Sequence, residues 1–189
     1  MRRNSDKQQA KVLSICKPFR GRIFDVTREV VCEPGGYRAL REVVRHPGSV
    51  VFLATARRAD KLQVLLERQY RHAAGDFMWE LPAGKIDHGE RPLSAAKREL
   101  REETGYTSMH WRRILRFYVS PGFLTETMTI YTAEDIMPGP AKPEADEMIE
   151  SRFFTLHQAL RMCDSGAIRD AKTIVPIYWF ALDRLQNKP

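Results

Sequence analysis

Gly84–Tyr106 reads GKIDHGERPLSAAKRELREETGY, and the fold is read outward from this stretch. A glycine turn leads to Glu90, then to a helical pattern carrying Arg98, Glu99, Glu102 and Glu103, and Gly105 closes it. Pro92 falls in the expected first turn, where its missing N–H costs little. Leu93, Ala96 and Leu100 recur at i, i+3 and i+7, a stripe able to pack on a sheet. Gly105 supplies the C′ glycine that stops a helix. Glu99, Glu102 and Glu103 fall at i, i+3 and i+4, so three carboxylates crowd one helix face. Like charges this close destabilise a helix unless something positive neutralises them. A hard divalent cation, held by carboxylates and substrate phosphates together, meets that need. Glu90 is expected to pair with Arg98 and fix the loop against the helix. The plainer reading is a solvated acidic edge balanced by Lys97, Arg98 and Arg101. Loop glycines, spacing and stop signal agree instead on a site.

In order, Gly84, five residues, Glu90, seven residues, Arg98-Glu99-Leu100, one residue, Glu102-Glu103, one residue and Gly105-Tyr106 resemble the Nudix box at every defined position. The resemblance implies hydrolysis of a nucleoside diphosphate linked to another moiety, with a divalent metal, magnesium or manganese, on the box glutamates. It implies Glu99, Glu102 and Glu103 as metal ligands, joined by the backbone carbonyl of Ala83 in Leu81-Pro82-Ala83-Gly84. Glu103 and Arg98 are the box members of the expected catalytic set.

Composition bounds the remaining readings. At 189 residues with 43% hydrophobic content, the chain suits one domain with a small appendage and has enough apolar residues for a core. No apolar run approaches a membrane span. The start, MRRNSDKQQAK, is basic but lacks the apolar stretch of a secretory signal, so it is expected to be a tail. Cys16, Cys32 and Cys163 are odd in number and widely spaced, which points to a reduced, cytoplasmic setting rather than disulfides or a metal knuckle. The net charge of +7 is spread along the chain, without interleaved basic and aromatic residues. It reads as a solvated surface with a mild attraction for polyphosphate, not as a nucleic-acid face.

Strand and turn signals organise the flanks. Residues 20–32 favour β-branched residues and read as a strand, Pro34-Gly35-Gly36 as a turn, and 37–45 as the returning strand. His46-Pro47-Gly48 breaks the chain. Strands are expected at 49–57, 62–70, 111–119, 127–134 and 149–156, and helices at 157–165 and 170–186. The expected class is α+β: a mixed sheet sandwiched between helices, preceded by an N-terminal β-hairpin subdomain. The boundaries are a tail at 1–18, the β subdomain at 19–47 and the main domain at 48–187. A lone hairpin cannot stand in water, so it must pack on its own domain or on a neighbour's.

The segments VVRHPGSVVFL, LERQYRHAAGDFMWELPAGKID and SPGFLTE are similar to the ADP-ribose pyrophosphatase branch of the Nudix family. That branch is marked by a proline sixteen residues beyond the box glycine, which here is Pro121. Nucleotide-sugar hydrolases share much of the pattern. The resemblance implies a nucleoside diphosphate sugar as substrate and a homodimer that exchanges N-terminal β-segments. It implies a general base and a further acidic metal ligand on the loop at 143–150, where Glu147 aligns with the acidic position and Ala145 stands where relatives carry glutamate. Glu144 and Glu147 therefore both remain candidates for the base. Arg71 is the expected phosphate contact, because arginine's planar fork suits bidentate binding of phosphate. Arg45, Glu126 and Phe24 are the expected contacts to nucleotide, terminal sugar and base, with Tyr37 an alternative to Phe24. His72, His88 and His110 read as surface residues. Two other classes stay open: a Nudix hydrolase of dinucleotides, damaged triphosphates or capped RNA, and a non-catalytic ligand sensor. Pro121 with the hairpin argues against the first, and the complete box carboxylates against the second.

Overall fold

The computed structural model describes residues 9–139 and 149–186. The chain divides into two compact units. One gathers the residues up to Pro47 with Tyr118–Thr127, and the other holds Gly48–Phe117 with the residues from Met128 on.

The larger unit is built on a seven-stranded mixed sheet. Its strands are β4 (Ser49–Arg58), β5 (Lys61–Arg71), β6 (Asp76–Glu80), β7 (Ala83–Lys85), β9 (His110–Tyr118), β10 (Thr127–Glu134) and β12 (Glu150–Thr155). The main path runs β12-β5-β4-β10-β9, with β6 on β5 and β7 on β4. β4 pairs parallel with β10 and antiparallel with β5 and β7. A small ribbon joins β8 (Tyr106–Thr107) to β11 (Met137–Pro138).

β4 shows why the sheet must be covered on both faces. SVVFLATARR is a nearly unbroken apolar run, and Val50 to Ala54 are fully buried. Strand side chains alternate between faces, and the two cores divide by that parity. Val50, Phe52, Ala54 and Ala56 join Leu65, Tyr131, Ala95, Ala96 and Leu100. Val51 and Leu53 join Val64, Leu66, Ile130, Ala159, Ile177 and Phe180. The first core lies under α1 (Pro92–Thr104), and the second under α2 (Leu156–Asp164) and α3 (Ala171–Gln186). The result is the expected α/β/α sandwich. Burial of apolar area at about 25 cal/mol per Å² is the main force holding its layers together.

α1 starts at Pro92 and ends on Gly105 in the left-handed conformation (φ 69°), whose N–H bonds to the carbonyl of Arg101. Its buried stripe is Ala95, Ala96 and Leu100, whereas Leu93 is exposed. The expected stripe thus loses Leu93, which lies in the first turn at the open end of the helix, and gains Ala95.

The smaller unit contains a three-stranded antiparallel sheet, β1 (Lys11–Arg20), β2 (Asp25–Cys32) and β3 (Arg38–Arg45). This corrects two expectations. Residues 11–18, read as tail, belong to strand β1, and the strand expected over 20–32 breaks at a turn before β2. The turn is made by Gly21, whose N–H bonds to the Phe24 carbonyl. A Cβ at Gly21 would lie 2.7 Å from that oxygen and 2.8 Å from the Phe19 ring. Among the described residues no helix is long and apolar enough to cross a membrane.

Candidate active site

Pairing of β7 with β4 fixes the backbone of Ala83 opposite Val51 and of Gly84 opposite Val50. The carbonyl of Pro82 accepts from Phe52 N–H at 3.1 Å, which anchors the same corner. α1 packs on β4 and β7, so its carboxylate face meets this corner. Glu99 lies directly on Gly84: a Cβ there would fall 2.0 Å from the Glu99 Cδ and 2.2 Å from its Oε1. Glycine at 84 is what admits the carboxylate beside the Ala83–Gly84 backbone.

Arg98 binds the acids around it. It donates from Nε to Glu90 Oε1 at 3.2 Å and from Nη2 to Glu90 Oε2 at 3.1 Å. Nη1 reaches Glu99 at 2.8 Å and Glu102 at 3.1 Å, and Nη2 reaches the Lys85 carbonyl at 3.3 Å. The Glu90–Arg98 pairing read from spacing is present, and the same guanidinium also offsets repulsion between two box carboxylates. Hydrogen bonding to Glu90 first, then to Glu102 and Glu99, raises the Arg98 pKa further above its usual value. The Glu90 carboxyl is lowered, chiefly by its hydrogen bond from Arg98.

Arg71 ends β5 and is gripped by Glu80 at the end of β6. Nε donates to Oε1 at 3.0 Å and to Oε2 at 3.1 Å, and Nη2 donates to Oε2 at 2.6 Å. The Arg71 pKa is raised, mainly by that bond. Burial pushes the Glu80 carboxyl up, but the Arg71 bond and the charge and bond of Lys172 outweigh it, leaving the pKa lowered.

Glu80 and Lys172 escaped the reading of the sequence. They lie 92 residues apart, so no local spacing links them.

Arg45, Glu126 and Phe24 lie in the smaller unit. Arg45 bonds to buried Glu29, and its Nε donates to Thr27 Oγ1 at 3.3 Å. Glu126 Oε1 lies 3.6 Å from His46 Nδ1, an ion pair when the imidazole is protonated. Phe24 is exposed and packs at 5.7 Å on Phe19, and Tyr37 is exposed as well. Glu144 and Glu147 lie outside the described residues. The three cysteines are free thiols, and burial followed by the charge of Asp164 pushes Cys163 up to about 11, unsuited to a nucleophile.

The residues of the box match a family model for the NUDIX domain, which covers residues 44–175. The chain belongs to the NUDIX family. Among NUDIX relatives, it is 38% identical over 166 residues to an ADP-ribose pyrophosphatase of Bacillus subtilis, covering 87% of this chain and 88% of that one. It is 32% identical over 183 residues to the methanol dehydrogenase activator of Bacillus methanolicus, covering 95% of this chain and 97% of that one. The fold matches a crystal structure of an ADP compounds hydrolase with a TM-score of 0.81 at 20% identity, covering 95% and 96% of the two chains.

The donor chemistry of this NUDIX site fits a hard divalent cation. Its carboxylate oxygens stand beside a glycine left open for one of them, and oxygen donors are what magnesium and manganese take. Among the described residues no three His, Cys, Asp or Glu side chains form a ready-made cage. Magnesium commonly binds through one or two carboxylates and completes its shell with water and substrate phosphate.

Proposed function

We propose that this chain hydrolyses the diphosphate bond of ADP-ribose or a related nucleoside diphosphate sugar, using a divalent cation, and does so as a homodimer. The observation that carries the reading is the corner where Glu99 lies on Gly84, beside the Ala83 backbone that β4 holds in place. The box carboxylates offer oxygen ligands, and Arg71, bonded to Glu80 three residues before Ala83, offers a guanidinium fork, the two needs of a bound diphosphate. The identity to the Bacillus subtilis pyrophosphatase over most of both chains gives independent support.

Glu99, Glu102, Glu103 and the Ala83 carbonyl would hold the cation, with Glu147 a further ligand. When bound, the cation offsets phosphate charge and makes a bound water more acidic. Arg71 binds and orients the diphosphate, and Arg98 holds Glu99 and Glu102 in place. Glu144 or Glu147 takes a proton from the attacking water. The water oxygen bonds to one phosphorus, the bond from that phosphorus to the bridging oxygen breaks, and the bridging oxygen leaves on the other phosphate. ADP-ribose would yield AMP and ribose 5-phosphate. Arg45, Phe24 and Glu126 are assigned to the nucleotide, the base and the terminal sugar on the strength of the resemblance.

The deciding experiment is a panel of ADP-ribose, GDP-mannose, UDP-glucose, dinucleotides and nucleoside triphosphates with magnesium or manganese, read as phosphate released by a coupled phosphatase. Turnover greatest on a nucleoside diphosphate sugar and abolished in Glu103→Ala is the expected result. Preference for triphosphates or dinucleotides moves the chain to another substrate class. Binding without turnover of any substrate replaces the enzyme with a sensor.

A further inference from the structure

We propose that Lys172, in the first turn of α3, is a positioning residue for substrate binding, acting through Glu80 to hold the Arg71 guanidinium with its Nη1 edge open to the diphosphate. The inference rests on the reading of Arg71 as a phosphate contact. Arg71 spends Nε and Nη2 on Glu80, and none of those bonds uses Nη1. Exposure orders the three side chains: Glu80 is 3% exposed, Lys172 12% and Arg71 41%. Only Arg71 is open enough to meet a ligand.

Glu80 Oε2 is the shared atom, accepting from both Arg71 Nη2 and Lys172 Nζ. Lys172 is tied in turn to Asp170 at 2.9 Å, and Asp170 accepts from Thr173 Oγ1 at 2.5 Å. The same Thr173 oxygen accepts from the Leu81 N–H at 2.7 Å. The first turn of α3 therefore grips two successive residues, Glu80 and Leu81, just before the Pro82–Gly84 corner.

A buried carboxylate with a single cationic partner draws that partner towards itself. Lys172 supplies a second cation at the same Glu80 oxygen, which removes the need for Arg71 to compensate the buried charge alone. The fork then stays fixed through Nε and Nη2, and Nη1 is left for a ligand. Prior ordering of a binding group lowers the entropy lost on binding.

The test uses the full chain with magnesium and ADP-ribose. Lys172→Met keeps the stem and removes the charge. It is expected to raise KM about tenfold and to change kcat by less than about threefold, because a charge-assisted contact to the bound ground state is weakened. Lys172→Arg should restore most of the loss. In an Arg71→Ala background, Lys172→Met should add less than about twofold, since both changes remove one contact. An unchanged KM in Lys172→Met, or an effect undiminished without Arg71, overturns the assignment. Arg71→Ala alone separates the two readings: a normal KM there removes Arg71 as a phosphate contact, and the role of Lys172 with it. A raised KM there beside a silent Lys172→Met removes Lys172 only. Should Lys172→Met fail to fold, the milder Lys172→Gln is read in the same way.

Discussion

Gly84 has no side chain, yet it sets where Glu99 can be. An alanine methyl would occupy space now filled by the Glu99 carboxylate, with its Cβ 2.0 Å from Cδ. Glu99 is flexible and can swing aside, so Gly84→Ala should cost turnover rather than folding. We expect a loss of roughly 100-fold or more in kcat/KM, of the size seen when one preorganised group is removed, with a Tm close to wild type. A variant that unfolds, or one that turns over normally, contradicts the assigned placement. Glu80 makes a different prediction. Its folded pKa lies below the 4.5 of an ordinary glutamate carboxyl, so its ionised form stabilises the native state above that value. That contribution is lost as pH falls through the lower folded pKa. The stability gap between wild type and Glu80→Gln in urea should be constant near neutrality and close only below about pH 4.5. Glu90 and Arg98 could be paired from spacing alone because the box brings them together within one turn and helix. Glu80 and Lys172 could not, because the sheet and the last helix create their contact.

At the scale of elements, the helices and the central strands were legible because their periods are clean. β4 is continuously apolar and α1 is punctuated by proline and glycine at its ends. β1 was not legible. KVLSICKPFR mixes bases with apolar residues and contains Pro18, which suits only an edge strand. β1 is the edge of its sheet, and its register shifts between Cys16 and Phe19, where the proline falls. The segment carrying Glu144 and Glu147 was legible as acidic but not as a base, since Ala145 occupies one aligned position. Glu144→Gln and Glu147→Gln should differ in their pH–rate profiles, and the variant that loses the acidic limb of kcat identifies the base. Unchanged profiles in both would exclude this segment as the source of the base.

For the whole molecule, β1 raises the question of what covers it. All ten of its residues are exposed in the single chain, among them Val12, Leu13, Ile15 and Phe19. Apolar strands left open in this way mark interaction surfaces. A second copy is the proposed cover, so Val12→Asp with Ile15→Lys should shift the mass measured by light scattering from dimer towards monomer. An unchanged monomer in wild type would remove the exchange. Arg98 bears on the molecule in another way. By bonding Glu90, Glu99 and Glu102 at once, it gives the acidic helix a resident counter-ion of its own. On the proposed metal dependence, folding would not wait on metal supply, and catalytic competence would be separable from structural integrity. Dialysis against a chelator should silence the enzyme while its Tm moves by no more than a few degrees, and returning magnesium should restore full turnover without refolding.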